Sequence, residues 1–163
     1  MNYLEKMFEH NNWANQRILQ ACLYLDKEQL DARPQTATRG SIRETLLHLV
    51  KSQAAYLRTL TLPLDARLTP IQLEFADLER SLQESGQGLL ALARDPRRIP
   101  TNPISTSDGY SNAPWVLLVQ IIAHAAEHRE QIKSMLTSLG LNPPDIDGWS
   151  YGESVKAVLP PSP

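Results

Sequence analysis

The sequence predicts an all-α protein, a four-helix bundle with a short additional helix near its C-terminus. Two observations carry this expectation. Four segments repeat apolar residues at helical spacing. The stretches between them hold proline, glycine and small polar residues at positions that start or stop helices. No internal repeat is apparent, and four long helices with irregular connections argue a four-helix bundle.

The first helix is expected from about Tyr3 to Leu25, with Leu4, Met7, Phe8, Asn11, Ala14, Asn15, Ile18, Cys22 and Leu25 on one stripe. Asn11 and Asn15 stand in the middle of that stripe, and buried amides require partners. The stretch "DARPQTATRG" reads as loop. Ser41 and Glu44 then form a capping box, since each side chain can satisfy an orphan backbone donor at a helix start. The second helix is expected over about Ser41 to Leu60, facing the core with Ile42, Leu46, Leu49, Gln53, Tyr56 and Leu60.

A linker, "TLPLDARLT", leads to a third helix expected from near Pro70 to about Ala93, with Gly86 and Gly88 weakening its second half. Fully extended, such a linker spans at most about 30 Å, roughly the length of a 20-residue helix. It permits a crossover that leaves the second and third helices parallel, without compelling one. The Pro-, Ser- and Asn-rich stretch from Asp95 to Ala113 has room for a short hairpin around Asp108-Gly109. The fourth helix is expected from Pro114 to Leu139, stopped by Gly140, and a short last helix near Ser150 to Val158. Residues 1–158 are expected to form one domain, with 159–163 as a disordered tail.

With 163 residues the chain is long enough to bury a core without covalent staples. A formal charge of −2 gives no electrostatic reason to expect nucleic acid or anionic membrane as partner. No apolar run approaches the roughly 18 residues a membrane helix needs. One cysteine, Cys22, allows no internal disulfide, and the N-terminal stretch lacks the apolar core of a signal peptide. The expected location is the cytoplasm.

Chemistry is concentrated in the histidines. His124 and His128 stand one helical turn apart, about 6 Å along the axis, so that both rings can meet one ion. A third ligand must come from another element. His48, mid-helix in "LLHLV", is the candidate, on a face of small residues (Thr45, Ser52, Ala55, Thr59) that leaves room for an ion. The competing reading is of core histidines hydrogen-bonded to their neighbours, and the residues alone leave both open. His10, beside Lys6, Trp13 and Arg17, reads as a half-exposed residue. The lettering His124-Ala-Ala-Glu127-His128 also matches the H-x-x-E-H of one group of zinc peptidases. That reading fails for want of a further acidic ligand on another element, with only 35 residues following His128.

Three stretches in order carry a family resemblance: "FEHNNWANQRIL", "SIRETLLHLVKSQAAYL" and "LLVQIIAHAAEHREQIKSMLTSLGLNPPDIDGWSYGES". Together they resemble the DinB-like (DinB/YfiT) superfamily of small four-helix metal proteins across nearly the whole chain. The resemblance implies a divalent ion, nickel or zinc, held by His48, His124 and His128, parallel second and third helices, and a homodimer. It also implies a small-molecule substrate, with activity of the type in which a low-molecular-weight thiol is transferred by a metal-dependent S-transferase. Asn11, Asn15, Gln120 and Gln131 become candidates to orient substrate, and Glu127 a candidate base. Tyr151 and Trp149 become candidates to close the pocket. His10 and Glu127 depart from the family's usual residues. The alternative is a stress-response protein that binds metal or a small molecule without turnover. Cys22, on the core face, reads as packing.

Overall fold

The computed structural model describes residues 1–34 and 40–158. The middle of the expected loop (35–39) and the expected tail (159–163) lie outside the described residues. Among the described residues seven α-helices follow in chain order: α1 Tyr3–Leu23, α2 Lys27–Asp31, α3 Ile42–Thr61, α4 Leu64–Arg67, α5 Leu78–Arg94, α6 Pro114–Ser138 and α7 Gly148–Ser154. A two-stranded antiparallel hairpin pairs β1 Ile104–Ser105 with β2 Ser111–Asn112, turning at Gly109, whose φ is +87°.

The four long helices begin and end where local chemistry places them. Asn2 accepts the Glu5 amide at the start of α1, and the Ser41–Glu44 box closes on both sides at the start of α3. A second box, unread in the sequence, joins Asp26 and Gln29 and nucleates the one-turn α2. At the end of α6, Gly140 at φ +74° lets Leu141 N–H return to the Leu136 carbonyl.

The third long helix corrects the sequence expectation. It starts at Leu78, preceded by a 3₁₀ turn at Phe75–Asp77, and not at Pro70. Residues 70–74 are irregular, with Leu73 buried and Ile71 half-buried against the same apolar cluster. Positions two apart reach one side only in extended chain, so burial overrides the helix-start signal of Pro70. Met7, expected on the core stripe, is 52% exposed at its edge. Gly86 and Gly88 do not interrupt α5. A Cβ at Gly86 would lie 2.9 Å from Asn12 Oδ1, and one at Gly88 would run into Leu57 Cδ2. The glycines therefore admit α1 and α3 close to α5.

Around the bundle, α1 packs on α5 and α6, and α3 packs on the same two helices. Residue numbers rise together along α3 and α5, where Gln53 bonds Ser85 and Leu57 meets Gly88. The apolar core comes in two parts. One gathers Ile18, Leu46, Leu49, Leu82, Ile132 and Met135. The other gathers Phe8, Leu60, Leu89, Leu117 and Ile121.

Between the two lies a buried polar layer that touches all four long helices. Arg129 Nη1 on α6 donates to Asn11 Oδ1 (2.8 Å) and Asn15 Oδ1 (2.6 Å) on α1. Asn15 Nδ2 donates to Gln53 Oε1 on α3 (2.8 Å). Gln53 Nε2 donates to Ser85 Oγ on α5 (2.8 Å), and Ser85 donates to the Ser81 carbonyl (2.6 Å). Each group gives its proton in the same direction, so neither Asn15 nor Gln53 can be turned over without breaking two bonds. Burial pushes the Arg129 guanidinium down to about 10, and the charge of the neighbouring Glu130 offsets this only in part.

Cutting this chain in its middle is expected to be costly. Asn15→Ala strands a buried guanidinium N–H and Gln53 Oε1, and should lower unfolding free energy by about 2 to 3 kcal/mol. Asn11→Ala should cost less, since Asn11 Nδ2 already has no partner among the described residues. Urea denaturation of both variants, compared at constant m-value, checks the order.

Candidate metal centre

His48 on α3 and His124 and His128 on α6 come together from 76 residues apart. His48 Nε2 lies 3.0 Å from His124 Nε2, and His128 Nε2 lies 3.1 Å from the same atom. One ring nitrogen from each residue falls within 4.8 Å of the other two, so the group can hold a metal ion. His128 is buried, while His48 and His124 are half-buried. The centre is thus walled on the bundle side and reachable from outside.

The donor set fits a borderline divalent ion. His128 Nδ1 faces Gln131 Oε1 at 2.7 Å, and a carbonyl oxygen can only accept. The ring proton therefore sits on Nδ1, and the Nε2 lone pair points at the other histidines. Three such nitrogens satisfy one another poorly, but all three can bind one cation. An all-imidazole set suits zinc, nickel and their neighbours better than magnesium or calcium, which take oxygen ligands.

Two further side chains stand at the centre. Ser52, one turn beyond His48, brings its Oγ to 3.4 Å from His48 Nε2. Tyr56, a turn further, presents its ring edge-on to His124, with centroids 5.7 Å apart and planes at 82°. Tyr56 was legible only as a core-face residue. Its spacing of eight from His48, two helical turns, was the available signal.

The remaining candidates are dispersed. Gln131 belongs to the centre, through His128. Asn11 and Asn15 are fully buried in the polar layer, their oxygens taken by Arg129, and so hold the helices that carry the histidines. Glu127 and Gln120 are exposed on α6. Glu127 is turned about 100° from His128, as a regular helix requires. Tyr151 packs on α1, its hydroxyl donating to Glu9 Oε2 (3.1 Å) and its ring 5.4 Å from Trp13 and 5.6 Å from His10. Trp149 is 74% exposed. His10 is half-buried, its Nε2 donating to the Ile146 carbonyl (2.9 Å). Burial pushes the Cys22 thiol up to about 12, which leaves it unreactive.

A helical bundle with three histidines converging between two of its helices defines a class of protein, a bundle with an internal candidate metal centre. The chain belongs to the DinB family, whose model matches residues 1–157. Among solved structures it is similar to a protein assigned to the DinB family from Exiguobacterium sibiricum 255-15. The TM-score is 0.67 at 19% identity, over 90% of this chain and 99% of that one. At that identity the likeness is one of fold. Among curated proteins, none matches the chain. Among the described residues, no helix is long and apolar enough to cross a membrane.

Gln131→Ala removes the acceptor that fixes the His128 tautomer. It is expected to weaken metal binding about 10- to 100-fold while leaving the fold intact, since Gln131 is only half-buried. Competition with a chromophoric chelator measures it. Unchanged affinity would show that the His128–Gln131 contact does not set the donor.

Proposed function

We propose that the protein is a metal-dependent enzyme of small-molecule chemistry, acting in the cytoplasm, with nickel or zinc held by His48, His124 and His128. The convergence of three imidazole nitrogens beside a half-open face carries this reading. Three protein ligands leave coordination room for a further group, as catalytic sites require. A divalent ion bound there would lower the pKa of a thiol or a water and supply a nucleophile near neutral pH. Transfer of a low-molecular-weight thiol to an electrophile is the preferred reaction, and hydrolysis the variant of it.

The chain's own residues bind and orient. Gln131 keeps His128 in the ligating tautomer. Ser52 offers a hydroxyl beside His48, and Tyr56 supplies an aromatic edge against His124. Asn11 and Asn15 act at a distance, by holding α6 through Arg129. A second reading, a stress-response protein that binds metal or a small molecule without turnover, is favoured by one observation: Glu127 is exposed and Cys22 is buried, so neither offers a base or nucleophile at the centre.

Elemental analysis of untagged protein tests the site. About one metal per chain is expected in the wild type, with His48→Ala and His128→Ala retaining about a tenth or less, by the loss of one of three ligands. Equal metal in all three samples rejects the triad. Thiol-conjugation assays then separate the two readings, and activity that survives complete metal removal rejects the mechanism.

We extend the proposal to a homodimer formed through the exposed apolar residues Tyr3 and Met7 on α1 and Trp115 and Val119 on α6. The two helix starts share a cluster, in which Leu4 and Phe8 meet Leu117 and Leu118. Sedimentation is expected to show a dimer that Trp115→Glu converts to monomer. A wild-type monomer at tens of micromolar rejects this interface.

A further inference from the structure

The small-residue face of α3 continues past the histidines into a groove of about 360 Å³, walled on its other side by Arg67 and residues 68–71. Ser52 belongs both to the groove and to the metal centre, since its Oγ lies 3.4 Å from His48 Nε2. From Ser52 to Arg58 the helix advances about 9 Å. The groove thus leads away from the candidate centre over the length of a small molecule.

Its charge is one-sided. Among the described residues Lys51, Arg58 and Arg67 line it, and no carboxylate does. None of the three makes an ion pair among the described residues. Arg17, Lys27, Arg98, Arg129 and Lys156 share that condition, but only these three gather at the groove. Arg58 donates to the carbonyls of Thr69 and Ala66, and Arg67 to those of Leu62 and Ser105. These bonds hold both guanidinium planes still without neutralising them, and leave N–H groups over. Three uncompensated cations around one groove, on a chain whose formal charge is −2, need a reason. The geometry points to a subsite for the anionic group of a substrate, a carboxylate or phosphate, whose other end reaches the centre at His48, His124 and His128. Fixed guanidinium planes bind such groups with paired hydrogen bonds, and the lysine adds an adaptable charge. The inference rests on the metal-centre reading for the far end of the ligand, and on the groove alone for the anion.

Two measurements keep those parts apart. In the first, inorganic phosphate and, separately, acetate are titrated at constant ionic strength into the ¹⁵N-labelled full chain without added metal. Amide shifts are expected to concentrate at residues 51–59 and 67–71. Binding should weaken about fivefold to tenfold in Lys51→Glu, on the scale of a few exposed charge pairs. Lys51 is exposed, so that variant leaves the fold undisturbed. Response to phosphate alone assigns a phosphoryl group; response to both admits a carboxylate. Shifts scattered over the surface, or unchanged in Lys51→Glu, overturn the subsite.

In the second, cobalt-loaded protein is titrated with 6-mercaptohexanoate and with 6-mercaptohexanol, followed by cobalt absorption. The acid is expected to bind more tightly than the alcohol, with the preference lost in Lys51→Glu. Equal binding of the two overturns the link between groove and centre. No spectral change with either thiol counts against the function proposed for the metal, and the phosphate result is read independently of it.

Discussion

The Arg129 guanidinium lies buried among neutral amides, and the packing of the four long helices has to satisfy it. A buried cation without a carboxylate is tolerable only if dipoles are aimed at it and held there. Asn11 and Asn15 supply the dipoles from α1, Gln53 fixes Asn15 from α3, and Ser85 fixes Gln53 from α5. Apolar contacts tolerate sliding by a fraction of a turn, but this chain of bonds does not. It therefore sets the register of the bundle, while the two apolar clusters on either side supply most of the driving force.

The candidate metal centre inherits that register. Arg129 follows His128 directly, and Gln53 follows Ser52, which touches His48. Fixing residue 129 against residue 53 through Asn15 fixes the neighbouring histidines as well. A three-histidine centre needs its nitrogens placed to a few tenths of an ångström, and the polar layer gives the supporting helices that stiffness. The outer side of the centre is built differently. Small side chains on α3 and the backbone-tied arginines around residues 58 and 67 leave space and positive charge there. One helix face thus serves the core, the centre and the groove in turn.

Much of this was legible in the sequence because the governing signals are local. Helical period, the Ser41–Glu44 box, Pro114 at a helix start and Gly140 at a helix end all act within a few residues. So does the spacing of His124 and His128. The start of α5 was not legible, because Leu73 and Ile71 stay in an irregular stretch and pack on a cluster assembled from distant residues. The roles of Asn11 and Asn15 were hidden for the same reason. Their partner, Arg129, is more than a hundred residues away and reads in isolation as an ordinary surface cation.

The sequence by itself determined the four long helices apart from the start of α5, that the protein is all-α, and that His48, His124 and His128 are the residues to watch. These depend on periodicity and on neighbours within one or two turns. Only the tertiary structure decided that the three imidazoles converge, that the asparagines brace a buried arginine, and that Glu127, Gln120 and Trp149 face solvent. Only there, too, do Lys51, Arg58 and Arg67 meet around one groove. Each of these depends on the rotation of one helix against another. That rotation is set by burial and hydrogen bonding summed over the whole bundle, a sum that no local pattern contains.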